Sequence, residues 1–85
     1  MKGQLVVIRD VSGSLLVRRI WESCATGVFI HSEEEWRKRM EGKQSLDPVG
    51  FPICDVFQYD DSAKEQIGSS APDWSKLTRF LPVLG

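Results

Sequence analysis

Two turn clusters cut the first third of the chain into three short apolar runs, and this spacing restricts the fold more than any other feature. Gln4-Leu5-Val6-Val7-Ile8-Arg9 is rich in β-branched residues and ends at Asp10-Val11-Ser12-Gly13-Ser14, where Gly13 can take a positive φ. Leu15 to Trp21 returns as a second strand. Cys24-Ala25-Thr26-Gly27 marks the next turn, and Val28-Phe29-Ile30-His31 forms a third strand. Connections this short leave an antiparallel meander as the simplest topology. Alternation is imperfect on the second strand, where Arg19 shares a face with Leu15, Val17 and Trp21. A β-bulge near Arg18-Arg19 resolves that conflict by moving one residue out of register.

The clearest helix opens in "HSEEEWRKRMEG" and is expected over about 32–41. Ser32 is an N-cap, and Glu35 three residues later completes a capping box. His31 and Trp36 stand at the hydrophobic-staple positions. Glu33, Glu34 and Glu35 each precede a base by four residues, at Arg37, Lys38 and Arg39. The acid-first order stabilises an isolated helix by roughly 0.2–0.5 kcal/mol per pair. It also neutralises the basic run, so Arg37-Lys38-Arg39 reads as a solvated face rather than a phosphate site. Trp36 and Met40 make a narrow apolar stripe and Gly42 provides the stop, giving a short lid over one edge of a sheet.

Residues 43–48 read as loop, and Asp55 to Tyr59 as a fourth strand. Residues 60–70 form a polar connector, with a single helical turn at Ala63 to Ile67 as the alternative. A C-terminal helix is expected over about 72–81. Pro72 and Asp73 suit its first turn, Trp74, Leu77, Phe80 and Leu81 recur at helical spacing, and Pro82 ends it. The chain is therefore expected to be mainly β (α+β): a three- to five-stranded antiparallel meander or small barrel carrying two helices, in one domain over 1–85.

Between loop and fourth strand lies "DPVGFPICDVF". Pro48 and Pro52 each fix φ and bias Asp47 and Phe51 toward extended geometry, while Gly50 permits a bend between them. From the residues alone the segment reads as a stiff crossing that anchors Phe51 and Ile53 in the core, with a surface binding corner as the alternative. Gly50, Phe51, Pro52 and Val56 also resemble the last-turn signature of Src-homology-three-like barrels, where glycine, an apolar residue and proline precede a tight helical turn and a closing strand. The resemblance covers about eight residues and implies a small barrel. In that family the proline and a tyrosine three residues later line a groove for proline-rich peptides. Here Pro52 matches by position, Asp55 occupies the tyrosine position, and Trp21 lies 31 residues before Pro52.

Charge and composition narrow the function classes. A net charge of −1 supplies no general field for nucleic acid or acidic membranes. Residues 1–31 nevertheless sum to +2 and residues 44–70 to −4, so the halves can attract each other or show opposite signs to a partner. The longest apolar run, Leu5 to Ile8, falls far short of the ~20 residues of a membrane span. No signal-peptide pattern opens the chain, and Cys24 and Cys54 are expected as free thiols of a cytoplasmic protein. No cofactor or metal site is expected, and no compact catalytic constellation stands out. A hydrolase would need His31 brought together with Cys24 or Cys54.

The leading expectation is a non-enzymatic protein-interaction module. Its contact residues would be Trp74, Leu77, Phe80 and Leu81, against a partner or a second copy. The simplest alternative use of those residues is packing on the domain's own sheet. A second class is a small barrel that binds nucleic acid, with Arg9, Arg18 and Arg19 on phosphates and Trp21 as a stacking surface; the near-neutral total charge and acidic middle weigh against it.

Overall fold

The structure, a computed structural model, describes residues 2–82. Its strands are β1 (Leu5–Arg9), β2 (Leu15–Cys24), β3 (Gly27–His31), β4 (Val49–Pro52) and β5 (Val56–Gln58). The α-helices are α1 (Glu33–Met40) and α2 (Asp61–Gln66). All strand pairs are antiparallel and the sheet order is β4-β3-β2-β1-β5. The fold is thus the expected antiparallel α+β meander.

The two edge strands, β4 and β5, are joined by only three residues, a 3-10 turn at Ile53–Asp55. In a flat sheet four inter-strand gaps would hold those edges about 19 Å apart. A single 3-10 turn advances about 6 Å. The sheet therefore curls until its edges meet at this corner, and it stays open elsewhere, because β4 and β5 do not pair. The segment expected to hold one strand thus holds two, and the stiff Pro48–Pro52 crossing is itself the edge strand β4.

Curling gives the sheet an inner and an outer face, each with its own cluster. Val6, Ile8, Ile20, Val28, Ile30, Val56 and Phe80 fill the inner one, with Leu16, Phe51 and Ile53 packed against them. Val7, Phe57, Ala63 and Leu77 form the outer one, flanked by Leu15, Val17, Tyr59 and Trp74. Strand β1 lies between β2 and β5 and is covered on both sides, which explains its unbroken apolar run. At the β3–β4 contact the backbones approach closely. A Cβ on Gly27 would stand 2.5 Å from the Phe51 carbonyl oxygen, so only glycine fits.

Three expectations need correction. The bulge falls at Trp21, between the pairs Ile20↔Ile30 and Glu22↔Phe29, rather than at Arg18-Arg19. Arg19 stays in register because a salt bridge to Glu33 and a bond to the Gly3 carbonyl occupy its guanidinium. The 60–70 connector contains α2, capped by Asp60, whose carboxylate accepts the Ala63 amide at 3.0 Å; Ala63 is fully buried. The largest correction concerns the tail. Instead of a helix over 72–81, one 3-10 turn at Trp74–Lys76 is followed by extended chain. Gln58 donates to the Thr78 carbonyl at 2.8 Å, Phe80 donates to that of Val56 at 3.2 Å, and Arg79 bridges Phe57. In extended chain, residues three apart face opposite sides. Leu77 accordingly enters the outer cluster and Phe80 the inner one, a division that a single helical face cannot make.

Candidate binding cleft

The curled sheet leaves a cleft of about 280 Å³ on its open side. Ile8 of β1, Leu16 and Arg18 of β2, and Ile30 and His31 of β3 line one wall. Ser32 and Glu35 at the start of α1 close one end, and Val49 and Phe51 of β4 with Leu46 and Asp47 form the other wall. The 46–47 segment is a strap fixed to the helix: the Leu46 amide donates to Glu35 Oε1 at 2.8 Å, and Lys38 holds the other carboxylate oxygen at 3.2 Å. The Leu46 amide, followed by Lys38, keeps the Glu35 carboxyl below its ordinary range. Leu46 and Val49 remain 72% and 58% exposed, so apolar wall area faces water.

Arg18 is the unusual polar group of the cleft. Among the described residues it has no carboxylate partner; its Nη1 donates to the adjacent Val17 carbonyl at 2.8 Å. Asp47 is exposed on the rim and makes no ion pair among the described residues. The sequence marked one side of this site: Asp47, Val49 and Phe51 belong to the Pro48–Pro52 segment whose alternative reading is a surface binding corner. Leu46, a lone apolar residue in a polar loop, was the signal left unused, and nothing pointed to Leu16 and Arg18 of β2.

Beside the cleft stands an aromatic and cationic stack. Trp21 lies edge-on to His31 and Trp36, at centroid distances of 5.8 and 6.1 Å. Lys2 and Arg39 each approach its ring to 3.9 Å. His31 is buried, 3% exposed, with Nε2 3.4 Å from Arg39 Nη1. A guanidinium only donates, so this contact requires an unprotonated Nε2. Burial first, then the Arg39 charge, pushes the imidazole below its ordinary pKa, against opposing pulls from Glu35 and Asp47.

The residues singled out from the sequence are distributed as follows. Trp74 tilts against Phe57 at 5.3 Å, and Leu77 and Phe80 are buried in the domain itself; of that set only Leu81 is strongly exposed, at 76%. Arg9 and Arg19 lie on the outer face at opposite ends, each held by an acid. Arg9 bonds Asp55 at 3.0 Å and lies 5.2 Å from the Trp74 ring, while Arg19 is held by Glu33. Arg18 points to the inner side, so the three arginines do not form one surface with Trp21. His31 forms no hydrogen bond with either cysteine. Cys24 and Cys54 are exposed free thiols, with Thr26 Oγ1 3.5 Å from the Cys24 sulfur. Among the described residues no group of three or more His, Cys, Asp or Glu is placed to hold a metal ion, and no helix is long and apolar enough to cross a membrane.

Comparison with family models, curated proteins and solved structures gave no match.

Proposed function

We propose that this chain is a non-enzymatic, cytoplasmic binding module that receives an apolar side chain of a protein partner in the open-side cleft. The observation that carries the reading is the apolar, partly solvent-facing wall made by Leu16, Ile30, Leu46, Val49 and Phe51 around a fixed strap. A few convergent polar groups in an apolar hollow are the usual composition of a recognition site. The tail residues are already used in folding, which moves the contact away from Trp74, Leu77 and Phe80. The exposed thiols Cys24 and Cys54 suit a reducing compartment. The 3-10 turn after Pro52 and the strand following it support a likeness to Src-homology-three-like barrels. That family's aromatic groove is not part of the proposal, because Asp55 at the tyrosine position is bound by Arg9.

The test compares tagged wild type, Leu46→Glu with Val49→Glu, and Leu81→Ser as bait in a lysate of the native host. Both cleft positions are exposed, so the double variant is expected to stay folded by circular dichroism. Loss of wild-type partners from the cleft variant, with retention by Leu81→Ser, is the expected result. The reverse pattern, or unchanged capture by the cleft variant, refutes the assignment.

A further inference from the structure

We propose that the cleft takes the C-terminal end of an extended protein segment, its last apolar side chain filling the hollow and its terminal carboxylate meeting Arg18. This rests on the binding reading above and specifies what the partner presents.

Three observations converge on that occupant. The first is size. Small-molecule sites commonly span about 300–1,000 Å³. A hollow of about 280 Å³ suits one large side chain better than a cofactor. The second is the free edge of β4, which among the described residues pairs with β3 alone and leaves the backbone N–H and C=O of Gly50 facing outward to an added segment. The third is the position of the unmatched cation. Arg19 pairs with His31 and Val49 with Ile30, so Arg18 lies beyond Val49 along the strand axis, at the end crossed by the strap.

Direction follows from these positions. A segment added antiparallel to β4 runs from Pro52 toward Val49 and brings its C-terminal end to Arg18. Beyond Val49 it meets Pro48, which has no N–H, and the strap pinned to Glu35. Backbone pairing ends there, at the level where a terminal carboxylate would face Arg18. Apart from the bond to Val17, the guanidinium fork has no partner among the described residues and can receive a carboxylate, the geometry in which arginine binds best. Glu35 does not compete for Arg18, being held by the Leu46 amide and Lys38. Asp47 has the same sign as the incoming group and opposes it from the rim.

The experiment titrates the intact, isotope-labelled protein with an N-acetylated tetrapeptide ending in leucine, as free acid and as C-terminal amide, and with 4-methylpentanoate. The free acid should shift the amides of Leu16, Val49, Gly50 and Phe51, and bind about tenfold more tightly than the amide. Arg18→Gln should reduce the acid to the level of the amide and leave the amide unchanged, which separates lost recognition from lost folding. Asp47→Asn should tighten the acid severalfold. Equal binding of acid and amide, insensitivity to Arg18→Gln, shifts elsewhere in the protein, or no shift with millimolar peptide each overturns the inference. Equal affinity for 4-methylpentanoate overturns it too, by removing the role of β4. The lysate comparison decides the parent reading separately: a cleft variant that loses partners while acid and amide bind alike leaves the cleft standing and removes only its carboxylate preference.

Discussion

Replacing Phe80 by alanine tests the extended tail most directly. Phe80 is 4% exposed and closes the inner cluster against Val6, Ile8, Ile20, Val28, Ile30 and Val56. An aromatic side chain buries roughly 150–250 Å², which at about 25 cal/mol per Å² gives about 4–6 kcal/mol as an upper bound. Measured Phe→Ala losses in cores run about 3–5 kcal/mol, so about 3–4 kcal/mol is expected here. An 85-residue domain has a total stability of about 4–13 kcal/mol. The variant should therefore lose a quarter to nearly all of its margin. Urea unfolding followed by far-ultraviolet circular dichroism reads the loss as a lower midpoint at an unchanged slope. Leu81→Ala is the control: at 76% exposure it should stay within about 0.5 kcal/mol of wild type. A helix over 72–81 would put Phe80 and Leu81 together on the sheet side of one stripe and make both costly. Comparable losses at the two positions, or less than about 1 kcal/mol at Phe80, would refute the argument.

Gly27→Ala should destabilise by about 2 kcal/mol, because its Cβ meets the Phe51 carbonyl oxygen at 2.5 Å and backbone must move; Gly13→Ala, with open space but φ of +84°, isolates the cost of dihedral strain alone, and equal losses at the two sites would contradict the close approach. Stability should also depend on pH in two steps. His31 binds its proton less tightly when folded, so its contribution is complete above its ordinary pKa of 6.5 and is lost as pH falls toward the lower folded value. Replacement by glutamine should flatten the change in urea midpoint between pH 7.5 and 5. The carboxylates of Asp10, Glu33 and Glu35 are lowered chiefly by the Ser12 hydroxyl, Arg19 and the Leu46 amide respectively; their contributions hold above their ordinary values of 3.8 and 4.5 and disappear in more acidic solution. A midpoint independent of pH from 7.5 down to 3 would exclude both effects.

The legible parts of the fold were those decided locally. The hairpins follow from turn chemistry: Asp10 Oδ1 accepts the amides of Ser12 and Ser14, and Gly13 takes its positive φ. Helix α1 follows from its own cap, with Ser32 Oγ receiving the Glu35 amide at 3.2 Å. The tail was misread because Trp74, Leu77, Phe80 and Leu81 match a 3.6-residue period by coincidence. Leu77 and Phe80 serve two different clusters, and only the sheet's curvature determines that there are two. The cleft was legible only on its Asp47–Phe51 side, for a related reason. Leu16 and Arg18 come from β2, Val49 and Phe51 from β4, and the strap from between them, so no window of sequence contains the site. Its single odd residue, an arginine without an acid, looks ordinary until the ion pairs of Arg9 and Arg19 are known.

The same curvature accounts for the site and for how little of its edge is left to pair. A closed barrel would have paired β4 with β5 and filled the opening; the three-residue corner brings the edges together at Pro52 and lets them diverge toward Val49. An edge strand left unpaired ordinarily invites association with further copies. Here Pro48 and Pro52 bracket β4, and neither has an N–H to offer. The backbone groups of Val49 and Phe51 face β3, so the usable edge is the N–H and C=O of Gly50, too little for a stable strand pair between copies but enough to orient a segment held by a side chain and a charge. At the other edge, the tail's hydrogen bonds to Val56 and Gln58 cover β5. The Phe80 side chain anchors the tail over that edge, so Phe80→Ala, which loosens the anchor, should aggregate on warming whereas Leu46→Glu with Val49→Glu should not. Light scattering during a thermal ramp separates these outcomes. Aggregation of the cleft variant ahead of Phe80→Ala would mean that β4, not β5, is the edge the fold must protect.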